Sequence, residues 1–124
     1  MRRAHGRRCE PCEGIKGPLG AREAKALAAE LKGWRLIGSK TLRQDLVMKD
    51  FMSAVHLINA IARAAEAEGH HPDLHLTGYK NLAIELSTHS IGGLSINDFI
   101  MAEKITRIQE RDVRPVRHGR VAAV

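Results

Sequence analysis

Between Asp50 and Gly69 the apolar residues Phe51, Val55, Ile58, Ala62 and Ala65 recur at helical spacing, over about four turns. A helix of that length with one apolar stripe must lay the stripe on something. Asp50 offers a side-chain cap at its start, and Gly69 a left-handed stop at its end. What the helix lies on is read from its flanks, where the apolar period changes from 3.6 to two. Upstream, Trp34, Leu36, Leu42, Gln44, Leu46 and Met48 alternate across Gly38, Ser39 and Lys40, which predicts a strand pair joined by a turn. Downstream, an extended piece at Leu74 to Leu76, a turn at Thr77-Gly78 and the alternating Leu82, Ile84 and Leu86 predict a second pair.

Two further helices bracket this pattern. Ala24, Leu27, Ala28 and Leu31 share a helical face, with Gly33 placed as its stop. Ser95 with Asp98 three residues on has the form of a capping box opening a helix through Met101, Ala102, Ile105 and Ile108. The order α-β-β-α-β-β-α predicts an α+β fold, a four-stranded antiparallel sheet with three helices packed on one face.

The chain's 124 residues suit one domain with its own core. Residues 1–19, broken by Gly6, Pro11, Gly14, Gly17 and Pro18, read as an irregular basic leader, residues 20–109 as the domain, and residues 110–124 as a basic flexible tail. The formal net charge of +6 belongs to the ends: residues 17–110 carry eleven basic and eleven acidic side chains. A domain without a net basic surplus points away from nucleic acid as a partner. No apolar run reaches the ~20 residues of a membrane span, and the expected location is the cytoplasm.

Cys9 and Cys12 form a Cys-x-x-Cys pair. Three readings stand: reduced thiols without a catalytic role, half of a zinc site completed by histidines such as His5, or a redox pair.

The chemistry-bearing residues are histidines. Four of the seven, His70, His71, His75 and His89, fall within twenty positions, and three flank the ends of predicted elements. Imidazoles converging on one cavity suit acid and base work near neutral pH. Glu66, a helical turn before His70, and Asp98 are carboxylates placed to orient them. Each residue alone has a plainer account: a histidine at an element end as a surface or capping residue, Asp98 as an acid facing the helix dipole, Pro72 as a helix terminator, Tyr79 as a strand aromatic.

Their joint spacing is more specific. Glu66, three residues, His70-His71-Pro72, six residues, Tyr79, nine residues, His89, eight residues and Asp98 resembles the signature of the pterin-4a-carbinolamine dehydratases. Gly33-Trp34, Lys49-Asp50-Phe51, Ser87-Thr88-His89 and Gly92-Gly93-Leu94 extend the resemblance over about residues 19–109, and Cys9-Glu10-Pro11-Cys12-Glu13-Gly14 is similar to the leader of the bacterial and plastid branch.

The resemblance implies dehydration of a 4a-hydroxytetrahydropterin to the quinonoid dihydropterin, recycling the cofactor of aromatic amino acid hydroxylases, with no metal and no cofactor of its own. It implies catalytic roles for His70 and His89 at the 4a-hydroxyl, His71 binding and orienting the pterin, and support from Glu66, Asp98, Pro72 and Tyr79. Homodimers or homotetramers, and a functional link to a hydroxylase, are implied as well. An alternative within the same family is a non-catalytic module, either a dimerisation cofactor of a transcription factor or a Rubisco assembly factor. The chain departs from the animal members in having Leu74 where they carry a Trp, a loop to Tyr79 one residue longer, and Asn97 where an Arg often precedes the final acid.

Overall fold

The computed structural model describes residues 8–9 and 17–119. Its elements are α1 (Ala21–Ala28), β1 (Arg35–Ile37), β2 (Thr41–Val47), α2 (Phe51–Glu68), β3 (Asp73–Thr77), β4 (Asn81–Leu86), α3 (Ile96–Arg111) and the short β5 (Arg117–His118). A single 3-10 turn, His89–Ile91, separates β4 from α3. The α+β architecture is as the periodicity predicts.

The sheet is antiparallel in the order β1-β2-β4-β3, and β5 pairs with β2. β1 covers residues 41–43 of β2, while β5 meets Leu46 and Val47, so the two short strands share one edge. Arg117 and His118, expected within the flexible tail, are therefore part of the sheet, and α3 itself runs on to Arg111.

Strand alternation gives the sheet two unlike faces. Leu42, Gln44 and Leu46 of β2 stand opposite Leu86, Ile84 and Leu82 of β4, and all six are buried under the helices. Ala54, Leu57 and Ile61 of α2 and Phe99, Met101 and Ile105 of α3 complete that core. The other face carries Arg35, Arg43, Asp45, Glu85 and His75, joined by ion pairs in which only Asp45 is buried.

Two local expectations are corrected. The buried stripe of α2 is Ala54, Leu57, Ala60, Ile61 and Ala65, whereas Phe51 is 51% exposed and Ala62 lies outside. α2 is apolar around much of its circumference, so spacing alone selects either of two stripes; the sheet decides between them. α1 ends at Ala28 rather than at Gly33, and turn hydrogen bonds carry the chain on to Leu31. Gly33 serves a close approach instead: it sits at φ +83°, and a Cβ there would stand 3.0 Å from Gln44 Nε2.

Candidate active site

α3 begins where the sequence places it, and its first turn builds the centre of the site. Ser95 accepts a hydrogen bond from Asn97 N at 3.2 Å, and Asp98 Oδ2 accepts the Ser95 backbone N–H at 2.9 Å. That bond alone would account for an acid at this position. Asp98 does more, because it is fully buried and has further donors to satisfy it. The Thr88 hydroxyl donates to Oδ2 at 2.8 Å, and His70 Nε2 lies 2.6 Å from Oδ1.

A buried carboxylate with three donors is held rigidly. His70, only 6% exposed, is delivered to it by the end of α2. Gly69 takes the left-handed conformation at the helix C-terminus, and the His70 N–H donates to Ala65 O. With Nε2–H donating to the carboxylate, the tautomer of His70 is set, and Nδ1 is the nitrogen left to exchange protons. Thr88 links the same web to the end of β4, through Asp98 and through a 2.8 Å contact with the Ser95 hydroxyl.

His71 and His89 are exposed by contrast. His71 turns away from His70, its Nε2 lying 3.3 Å from Glu66 Oε1 on the last turns of α2. His89 stands on the 3-10 turn after β4. The three histidines line one hollow of about 240 Å³ together with Gly69, Ser87 and Thr88. One buried, oriented imidazole and two exposed ones around a hollow open to solvent are suited to giving and taking protons on a bound small molecule.

The other candidates fall elsewhere. Pro72 follows directly on the His pair, half-buried, and β3 begins just after it. Tyr79 is not brought to the hollow. It occupies the β3–β4 turn at φ +56°, beside Gly78 at φ +52°, 58% exposed and with the Lys80 ammonium 5.5 Å from its ring. The five residues of β3 place that turn roughly 15 Å from the His pair. His75 points to the open face of the sheet, 3.2 Å from Glu85. Thr88 is the residue that a search for acids and bases misses, since a hydroxyl between β4 and His89 gives no periodic signal.

Cys9 is free and half-buried; its N–H donates to Glu68 Oε1 at 2.7 Å and its thiol points to Asn97 O at 3.7 Å. Burial first, then the charge of Glu68, pushes the thiol pKa up to about 12. A thiol kept protonated in this way is poorly set to act as a nucleophile or a zinc ligand. Cys12 and His5 lie outside the described residues, and among those described no three His, Cys, Asp or Glu side chains form a metal cage.

Comparison with known proteins points in one direction. A family model described as pterin 4 alpha carbinolamine dehydratase matches residues 17–108. A protein of Nitrosospira multiformis, provisionally named pterin-4-alpha-carbinolamine dehydratase, is 42% identical over 99 residues, covering 80% of this chain and 86% of its own. The mitochondrial pterin-4-alpha-carbinolamine dehydratase 2 of Arabidopsis thaliana is 38% identical over 111 residues, which span 86% of this chain and 59% of that longer protein. Among solved structures, a Brucella melitensis protein described as a transcriptional coactivator/pterin dehydratase superposes with a TM-score of 0.69 at 29% identity, over 74% of this chain and 98% of its own.

Proposed function

The chain belongs to the pterin-4a-carbinolamine dehydratase family, and we propose that it dehydrates a 4a-hydroxytetrahydropterin to the quinonoid dihydropterin. The observation that carries this reading is the convergence of His70, His71 and His89 on one hollow, with His70 fixed by the buried Asp98. Dehydration breaks the C4a–O bond. The hydroxyl leaves as water once it has taken a proton, and a ring nitrogen gives one up, so protons balance and no electrons are exchanged. Two imidazoles on either side of C4a supply this need.

In this reading His70 and His89 exchange protons at the 4a-hydroxyl and the ring, while His71, held by Glu66, orients the pterin. Asp98 and Thr88 position His70 without touching substrate. An unpartnered scaffold has no physical need to bury a carboxylate on a histidine at the edge of a hollow, which favours catalysis over the purely structural role. The finer reading places the enzyme in the cytoplasm, where the free thiol of Cys9 suits a reducing compartment, and has it serve an aromatic amino acid hydroxylase. Among the described residues no helix is long and apolar enough to cross a membrane. We also read the protein as a homo-oligomer, because β3 is an edge strand and α2 leaves Phe51 and Met52 uncovered.

The test is stopped-flow absorbance of quinonoid dihydropterin formed from freshly generated 4a-hydroxytetrahydropterin, with the spontaneous rate subtracted. The wild type is expected to accelerate the reaction, and His89→Ala, an exposed substitution that leaves the core intact, to lose about 100-fold. No acceleration over buffer would sink the dehydratase reading and favour the binding-module alternative.

A further inference from the structure

The hollow at the three histidines does not end at His89. A second chamber of about 270 Å³ shares Ser87, Thr88 and His89 with it and is otherwise lined by Lys40, Thr41, Gly92 and Gly93. The two hollows adjoin at these three residues. Lys40 sits on the turn between β1 and β2, exposed, its backbone N–H donating to Ile37 O at 3.4 Å. Among the described residues its ammonium has no carboxylate partner. Gly92 is left-handed at φ +69°, and a Cβ there would meet nothing within 4 Å, so the chamber is open in front of it.

The two hollows differ in charge. Beside the first, Glu66 is hydrogen-bonded to the lining His71 without lining the hollow itself; the second is lined by the lysine. Asp98, the other carboxylate of the site, is buried and occupied by its three donors. A pterin is itself graded: its 2-amino group and N3–H are donors at one end, C4a lies mid-ring, and C6 carries the substituent at the opposite end. In the pose that puts C4a between His70 and His89 with the donor end on the side of His71 and Glu66, C6 is directed to the second chamber.

Resting on the dehydratase reading, we propose that the Lys40 chamber is the subsite for the C6 substituent, and that Lys40 selects 4a-hydroxytetrahydropterins whose substituent carries an anion, a carboxylate or a phosphate. Besides His89 the remaining lining is small and uncharged, and none of it is acidic, so it neither repels the anion nor competes for the lysine. An exposed ammonium contributes modestly, and the preference is one of binding rather than of the chemical step.

The experiment compares kcat and KM for three 4a-hydroxytetrahydropterins, bearing a 6-methyl group, a C6 chain ending in carboxylate, and one ending in phosphate. The wild type is expected to favour the anionic substrates over the 6-methyl one by roughly two- to fivefold in kcat/KM, through KM and less so at high salt. That ratio collapses towards one in Lys40→Gln and falls below one in Lys40→Glu. A preference for only one of the two anions, lost in Lys40→Gln, supports the subsite and identifies its ligand. Acceleration of all three substrates with equal KM, or a ratio unmoved in both variants, overturns the subsite and leaves the dehydratase standing. No acceleration of any substrate overturns both.

Discussion

Of the histidine–carboxylate pairs among the described residues, His70 with Asp98 at 2.6 Å and His75 with Glu85 at 3.2 Å contrast most, and only the first borders the three-histidine hollow. The first lies where α2, β4 and α3 meet; the second lies on the open face of the sheet. Asp98 is buried and takes hydrogen bonds from a backbone N–H, a hydroxyl and an imidazole, so its position is fixed by three elements at once. Glu85 is partly solvated and shares itself between His75 and Arg43, inside a ladder that continues through Asp45 to Arg35. The two contacts therefore differ in the rigidity of the acid and in the hollow the imidazole borders, and the function we propose rests on that difference. The contact itself is common to both.

The largest difference is expected when each acid is turned into its amide. Asp98→Asn removes the charge that orients His70 and offers the wrong group to one of its three donors. We expect kcat to fall about 10²–10⁴-fold, with a loss of stability of about 1–3 kcal/mol because a buried donor is left unsatisfied. Urea unfolding with the stopped-flow assay separates the two effects, and the rate is compared per folded molecule. Glu85→Gln, in the same assay, is expected to change the rate by less than about twofold. Equal rate losses in both variants would erase the distinction between the regions.

Stability reverses the contrast. Asp45 is buried on the otherwise open face and holds Arg35 at 2.9 Å and Arg43 at 3.0 Å. Asp45→Asn is expected to cost about 1–2 kcal/mol, discounted for the partial exposure of both guanidinium groups, with no change in the rate per folded molecule.

The same residues set an acid limb. Burial opposes ionisation of Asp45 and Glu85, but the cationic partners together outweigh it, Arg43 with Arg35 at Asp45 and Arg43 with His75 at Glu85, and both carboxyls sit below their ordinary range. A depressed carboxyl contributes stability that is fully present above its unfolded pKa, about 4, and is lost as pH falls through the folded value. Urea midpoints measured downward from about pH 6 should therefore fall below about pH 4 in the wild type, and fall less steeply in Asp45→Asn. Identical acid limbs would remove Asp45 from the account.

Much of the site was legible because it is written in local spacing. The Ser95–Asp98 capping box, the left-handed Gly69 and the His pair beyond it follow from short-range rules, and the ends of the two helices they bound, α2 and α3, converge. The fold class followed from the same periods. What escaped depends on contacts distant in sequence. The apolar residues of α2 describe two possible stripes, and only the sheet selects the one through Ala54, Leu57 and Ile61. Gly33 resembles a helix stop, yet its freedom is needed beside Gln44 of β2. Tyr79 belongs to the spacing signature but lies on the far turn, because every residue of β3 carries the chain away from the hollow. Lys40 had no motif at all; it faces the chamber through the length of one turn.

The smallest effect is expected at His75, and it is the most direct check on the comparison. His75 and Glu85 meet at 3.2 Å with the imidazole about half in water, so their attraction is screened and is partly offset by the entropy of holding both side chains. Arg43 continues to hold Glu85 at 2.8 Å when the imidazole is gone. His75→Ala should therefore lower stability by only a few tenths of a kcal/mol and leave the rate per folded molecule unchanged. A rate loss approaching that of Asp98→Asn would mean that the open face communicates with the hollow through β4, whose far end carries Ser87 and Thr88 into it. Silence at His75 beside a large loss at Asp98 places the chemistry on the buried acid and not on the histidine–carboxylate pair as such.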